Sequence, residues 1–278
     1  MSRRTRIAAI QMVSTPVVAE NLAAAETLVA QAAQAGARLV ALPEYFCILG
    51  NRDTDKLGVR ETFSDGRSGG PIQEWLSDAA ARHGVWIVGG TLPLDCGRED
   101  RILNTCLVYD DRGACVARYD KIHLFGFRKV HDDGRVEAFD EARTIVHGTN
   151  RPVTVETPAG RIGLSVCYDL RFPELYRAFG TVDLILVPSA FTATTGQAHW
   201  EPLLRARAIE NLAYVLAPAQ GGLHVNGRRT HGHSMAIDPW GAVLGERAEG
   251  AGVVMAEVDL DHVAACRESL PALAHRTL

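Results

Sequence analysis

The sequence predicts a single α/β domain in which a pair of mixed sheets is covered by helices, and three observations carry that reading. Strand-like apolar runs alternate with helical stretches along the whole chain, hairpin turns recur at matching places in its two halves, and no linker separates the halves. The matching hairpins also point to internal pseudosymmetry. With 278 residues and 47% hydrophobic composition the chain can bury a large core, which excludes a disordered or fibrous protein.

Residues 7–13 read as the first strand. Arg3, Arg4 and Arg6 before them imitate the start of a signal peptide, but the apolar run is short and interrupted by Gln11. Residues 17–35 are Ala-rich with apolar recurrence at helical spacing and stop at Gly36, the favoured helix-terminating residue. A buried strand follows over 38–42, then a helix over 71–83 closed by Gly84, then a strand over 85–91. Two β-rich segments joined by Asp110-Asp111-Arg112-Gly113 form a hairpin ending near Asp120.

The pattern then runs again. A hairpin over 153–166 turns at Pro158-Ala159-Gly160, a helix starts after Pro173, and a strand over 184–187, a helix over 199–211 and a strand over 214–217 follow. A last hairpin turns at Asp238-Pro239-Trp240-Gly241 and returns through 253–258, leaving residues 260–278 as a capping tail or dimer contact. Residues 47–70, 124–141 and 221–231 fit no element and follow strands. Long loops at the carboxyl ends of strands are where α/β proteins bind ligands, so the site is expected there.

Composition narrows the partners. Net charge is −4 with both signs scattered, which leaves no basic stripe for a phosphate backbone. No stretch approaches the roughly 20 apolar residues that span a bilayer. The expectation is therefore a soluble protein with neither nucleic acid nor membrane as partner. Six cysteines without a C-x-x-C pair point to a reducing, cytoplasmic setting, where free cysteine behaves by default as a small buried hydrophobe.

Three residues carry chemistry. The apolar run 161–166 delivers Cys167 to its carboxyl end, and Pro173 opens a helix soon after, so the thiol sits at a strand-to-helix elbow. The helix dipole and neighbouring N–H groups would favour a thiolate there and stabilise an oxyanion; a buried structural cysteine fits the local sequence equally well. Glu44 ends the strand before it, and Lys121 stands just beyond the first hairpin. Alone, each reads as a surface charge. Together, a thiol, a carboxylate and an ammonium at strand carboxyl ends divide the labour of amide hydrolysis. Glu44, partly desolvated near the thiol, serves as base; Lys121 holds the oxyanion; Cys167 attacks, and water completes the turnover.

Other readings compete. A Cys-His enzyme would use His123, His199 or His233, although His199 beside Trp200 reads better as a loop-orienting residue. His231-Gly232-His233, with Cys167 or His224, is the nearest approach to a metal site, but its spacing matches no standard zinc pattern, so no metal or other cofactor is expected. A noncatalytic module that kept the fold is the reading from another class.

Leu42-Pro43-Glu44, Lys121-Ile122-His123-Leu124-Phe125 and Cys167-Tyr168-Asp169-Leu170-Arg171-Phe172-Pro173-Glu174 resemble the three signature blocks of the nitrilase superfamily. Pro188-Ser189-Ala190-Phe191, Ala198-His199-Trp200-Glu201, 205–210 and Gly232-His233-Ser234-Met235 extend the resemblance over nearly the whole chain. The resemblance implies a four-layer αββα sandwich, a homodimer or higher homo-oligomer, and a Glu-Lys-Cys set at Glu44, Lys121 and Cys167. It also implies a second glutamate near the lysine, assigned to Glu141, with Asp140 and Glu137 as alternatives because the loop before it is long and Gly126 stands where relatives often carry aspartate.

Within that superfamily, Ala219-Gln220-Gly221-Gly222 with His224 and Arg228 or Arg229 looks most like the deaminated glutathione amidases. The implied reaction is hydrolysis of a small carboxylate-bearing linear amide to acid and ammonia. The runners-up are an omega-amidase acting on 2-oxoglutaramate and an N-carbamoyl amino acid amidohydrolase. A guanidinium grips a carboxylate through two parallel hydrogen bonds, so Arg171 is the expected substrate arginine and Arg228 or Arg229 a second contact. Tyr45, Tyr168, Phe191, Thr194 and Thr195 complete the expected substrate-binding set.

Overall fold

Strand periodicity builds the layers of the protein, seen here in a computed structural model that describes residues 3–64, 67–134 and 136–277. In Arg4–Gln11, Ile7 and Ala9 belong to the core shared by the two sheets, while Ala8 and Ile10 belong to the core made with the helices Val18–Gln34 and Pro71–His83. Leu39 and Ala41 against Val40, and Cys106 and Val108 against Leu107 and Tyr109, repeat the alternation. That is the two-residue period of a strand buried on both faces. Behind the second sheet, Leu175 and Tyr176 of Pro173–Ala178 and Trp200, Leu204 and Ala208 of Ala193–Asn211 join the same core as Ile162, Leu164 and Leu186. The result is helix, sheet, sheet, helix: an αββα sandwich.

Six strands of the first sheet match the six of the second; Leu92–Asp95 and Ile145–Val146, both paired with Ile102–Tyr109, have no counterpart. Arg4–Gln11, Leu39–Ala41 and Trp86–Val88 are parallel neighbours linked through helices; Ile102–Tyr109 joins antiparallel and turns back through Cys115–Asp120. In the second half Gly160–Leu164, Leu184–Leu186 and Tyr214–Ala217 are the parallel set; Ser234–Ile237 joins antiparallel and turns back through Val243–Arg247. Each half also carries an antiparallel strand outside its first one, Gly252–Asp259 on Arg4–Gln11 and Val153–Thr157 on Gly160–Leu164.

Several sequence expectations need correction. The last hairpin returns through Val243–Arg247 and not through 253–258; Gly252–Asp259 crosses to the first sheet and pairs along the whole of Arg4–Gln11. The long helix begins at Ala193, six residues before 199, because the Thr192 hydroxyl caps it by accepting from the Thr195 N–H. The three unassigned stretches hold short two-stranded ribbons: Thr62–Ser64 with Arg67–Gly69, Gly126–Val130 with Val136–Asp140, and Gly221–Leu223 with Arg229–His231. The middle ribbon is largely exposed and shows little apolar periodicity, so its strands carry no clear sequence signal. Residues 65, 66 and 135 of those stretches, and 278 of the tail, lie outside the described residues.

The tail contains the helix Leu260–Ser269, whose Val263 and Cys266 are buried and whose Arg267 donates to the Leu212 carbonyl and pairs with Asp183. Among the described residues no helix is long and apolar enough to cross a membrane.

One glycine fixes the approach to the site. Gly90 has φ +52°, and a Cβ there would lie 2.1 Å from the carbonyl oxygen of Pro43, the residue before Glu44. Gly90→Ala should destabilise the protein by about 2 kcal/mol or more, read as a lower urea midpoint at constant slope. An unchanged midpoint would mean that the Pro43 peptide yields freely.

Candidate active site

Both sheets deliver residues to one end. The strand Leu39–Ala41 runs into Glu44, Cys115–Asp120 into Lys121, and Gly160–Leu164 into Cys167. Glu44 and Lys121 are 1% exposed and Cys167 8% exposed, so all three are shielded from bulk water. The Lys121 ammonium lies 2.8 Å from Glu44 Oε1 and 2.8 Å from Glu141 Oε2. Burial opposes its charge, yet Glu141 and Glu44 together hold it well above the ordinary lysine range.

Glu44 is fixed by more than the lysine. Its Oε1 also accepts from Asn104 Nδ2 at 3.0 Å, and its Oε2 from the Ala190 N–H at 3.0 Å. Glu141 accepts from the Phe125 N–H at 2.7 Å and from the Tyr45 hydroxyl at 2.7 Å. Burial works against the Glu141 carboxylate, but Lys121 and these donors hold its pKa below the usual value. Tyr45 stays protonated, since burial and the carboxylates Glu141 and Glu44 push its pKa well up.

The elbow that carries the nucleophile is strained and braced. Cys167 has φ +51° and Tyr45, next to Glu44, has φ +56°, conformations that non-glycine residues rarely adopt. Asp169, fully buried, accepts from the Val166 N–H, the Tyr119 hydroxyl and the His123 N–H, and pairs with His123 Nδ1 at 2.7 Å. The Cys167 N–H donates to the Pro188 carbonyl at 2.9 Å. The expectation of a favoured thiolate is not met: burial first, then Glu44, push the thiol pKa well up, and Lys121 only partly offsets them. The resting group is a neutral thiol, and its proton must be taken during attack.

Of the candidates for the second glutamate, Glu141 is the one that reaches Lys121. Glu137 instead accepts from Thr194 Oγ1 at 2.8 Å and pairs with His131, and Asp140 caps the turn Glu141–Arg143. Tyr168, Arg171, Phe191 and Thr195 line a tight cavity of about 10 Å³ with Cys167. The Arg171 guanidinium lies over the Tyr168 and Phe191 rings and contacts His199 Nδ1 at 3.2 Å. Thr194 does not line that cavity, because its hydroxyl is turned to Glu137. Arg228 and Tyr45 line an adjoining cavity, whereas Arg229 pairs at the surface with Glu249.

Among the described residues, none of His123, His199 and His233 is hydrogen-bonded to Cys167; the thiol that a histidine does contact is Cys266, beside His262 at 3.6 Å. His123 is held by Asp169 and stacked on Phe172, and His231 and His233 stack on each other at 4.3 Å. His224 has both ring nitrogens engaged, by the Ser14 carbonyl and the Thr230 hydroxyl. Among the described residues no group of three or more His, Cys, Asp or Glu converges to hold a metal ion. Asn104 and the Ala190 N–H went unrecognised in the sequence. The signal for Asn104 was a polar residue inside the apolar strand Ile102–Tyr109; the backbone donor has no side-chain signal.

Two measurements follow from this geometry. Lys121→Met leaves Glu44 and Glu141 buried without their counter-charge and should cost about 3–5 kcal/mol at neutral pH. The Glu141 carboxyl is depressed in the folded protein, so its stabilisation is present above the ordinary carboxylate range and lost as pH falls through the lowered value. The deficit of the variant should therefore shrink on acidification toward pH ~4, as its unpaired carboxylates protonate. A deficit that does not change with pH would mean that the loss is one of packing. Alkylation of Cys167 by iodoacetamide should show no thiolate inflection near neutrality; one below pH ~7 would mark a pre-ionised thiol.

The chain is similar to known proteins over nearly its whole length. A family model described as carbon-nitrogen hydrolase matches residues 6–268. A deaminated glutathione amidase from Synechocystis is 42% identical over 273 residues, covering 97% of each chain. The crystal structure of the NitFhit protein of C. elegans, 36% identical, superposes with a TM-score of 0.85 over 99% of this chain and 65% of that one. A single-residue mutant of the amidase from Nesterenkonia sp. AN1, 25% identical with a TM-score of 0.76 over 96% of this chain and 98% of that one, shows Michael addition of acrylamide at its active-site cysteine. With the family model spanning nearly its whole length, the chain belongs to the carbon-nitrogen hydrolase family and is an amidase of the nitrilase superfamily.

Proposed function

We propose that this amidase hydrolyses deaminated glutathione to 2-oxoglutarate and cysteinylglycine through a thioester on Cys167. The observation that carries the mechanism is the buried Lys121 ammonium, bonded to Glu44 and Glu141 with the Cys167 thiol in its field. Glu44 takes the thiol proton as sulfur attacks the amide carbon, and Lys121 compensates the oxyanion that forms. As the intermediate collapses, the C–N bond breaks and Glu44 returns the proton to the departing nitrogen. Water then attacks the thioester with Glu44 again as base, releasing the acid and restoring the thiol. Glu141 holds Lys121 charged and in place. Arg171, on aromatic faces beside Cys167, would hold the carboxylate of the acyl part.

The leaving group differs from the sequence expectation. Deaminated glutathione contains only secondary amides, so what departs is the amine of cysteinylglycine and not ammonia. Ammonia belongs to 2-oxoglutaramate, the second reading, which the tightness of the cavity at Cys167 favours. A cytoplasmic setting is supported by six unpaired cysteines. A homodimer is supported by the exposed apolar residues Ile209, Trp240, Val243 and Leu244, with Ile209 packed beside the turn at Gly241. The helix Leu260–Ser269 acts in this reading as a cap on the second sheet.

The test is release of 2-oxoglutarate from deaminated glutathione and from 2-oxoglutaramate, with wild type and Cys167→Ala. Expected is a higher kcat/KM on the longer substrate and loss of at least roughly a thousandfold in the variant. Preference for the short amide would move the assignment to omega-amidase, and a fully active variant would overturn the mechanism.

A further inference from the structure

Two cavities, each with its own cation, are linked by a small third one of about 30 Å³ that reaches Glu141 of the charge cluster. The first is the tight one beside the thiol, with Arg171. The second holds about 180 Å³, opens to solvent past Asn51, Arg52 and Asp53, and is lined by Tyr45, Lys56, Phe139 and Arg228. The small cavity shares Phe125 with the first and Tyr45, Lys56 and Arg228 with the second, and the Arg228 guanidinium donates to the carbonyl of Ala190, which lines the first, at 3.2 Å.

Among the described residues, neither cation of the second cavity is paired with a carboxylate. The Lys56 ammonium lies over the Tyr45 ring at 5.1 Å and, among the described residues, has no carboxylate within ion-pair distance. Arg228 lies over the Phe139 ring at 4.9 Å, and its buried Nε has no hydrogen-bond partner. A buried donor without a partner is costly and uncommon. The acids nearby do not fill this role: Glu141 is bonded to Lys121, Asp140 caps its own turn, and Asp53 stands exposed at the mouth.

We infer that this cavity is the leaving-group subsite, in which Lys56 and Arg228 receive the terminal carboxylate of the departing cysteinylglycine. The inference rests on the deaminated glutathione reading above. Orientation follows from the chemistry. The acyl part stays attached to Cys167 after the first step and so belongs in the cavity that contains the sulfur. The departing nitrogen must collect a proton and escape, which suits the wider cavity bordered by Tyr45 and open to water. A substrate with a carboxylate at each end and its amide between them matches two cationic cavities, one holding the nucleophile and the other joined to it through the small cavity at Phe125. An omega-amidase, whose leaving group is ammonia, has no use for the second.

The experiment compares kcat/KM, by release of 2-oxoglutarate, for deaminated glutathione and for its analogue with the glycine carboxylate converted to a carboxamide. Wild type, Lys56→Gln and Arg228→Gln are each measured on both. Wild type should prefer the free acid by roughly tenfold or more, mostly through KM, as expected for a charge-assisted contact. Each variant should bring that ratio toward one. A structural role for either residue would lower both substrates together and leave the ratio where it was, and this result, or a wild-type ratio near one, overturns the inference. Wild type that cleaves 2-oxoglutaramate but neither long substrate overturns the deaminated glutathione reading itself, and the inference with it.

Discussion

Lys121 carries a full charge at a position with no exposed side-chain surface, and much of the molecule serves to make that tolerable. A lone ammonium so deeply buried would lose its proton. It keeps it because two carboxylates, from different loops, converge on it. Those carboxylates are themselves expensive to bury and are held by Asn104, Tyr45 and the N–H groups of Ala190 and Phe125. Each donor belongs to a segment fixed for another reason: Asn104 to a central strand, Ala190 to the end of a strand in the opposite sheet, Phe125 to the root of a ribbon. The charge cluster is thus a joint between the two sheets as well as a site.

The same cluster explains why the thiol rests protonated. An assembly with two carboxylates and one ammonium already bears a net negative charge, and a thiolate would add another in a dry place. Moving the proton from sulfur to Glu44 keeps that total constant and leaves the new thiolate beside Lys121. Reactivity is thereby tied to the presence of an electrophile, which a permanently ionised cysteine would not require.

Much of this was legible in the chain. The helices 17–35 and 71–83, the hairpin at 110–113 and the strands ending at Glu44, Lys121 and Cys167 all announce themselves through apolar periodicity and glycine or proline punctuation. The short ribbons and the early start of the helix Ala193–Asn211 did not, because their surfaces are polar or their cap is a single hydroxyl at Thr192. The crossing of Gly252–Asp259 to the other sheet was hidden for a different reason: pairing between residues some 250 apart is invisible to any local pattern. Lys56 was overlooked because it sits in a charged loop where a lysine is ordinary, and only its position over Tyr45 beside an unpaired guanidinium sets it apart.

That crossing strand bears on how the protein is made. Gly252–Asp259 pairs along all eight residues of Arg4–Gln11, so the first sheet keeps an open edge until residue 259 has left the ribosome. A nascent chain holding residues 1–120 has helices, a hairpin and three parallel strands, but its first strand lacks an outer neighbour and one face of its sheet has nothing to cover it. Exposed edges and apolar faces invite association with other chains. The last strand of the second half closes that edge, and the reactive cysteine meets its base and its ammonium only once the second sheet has packed on the first.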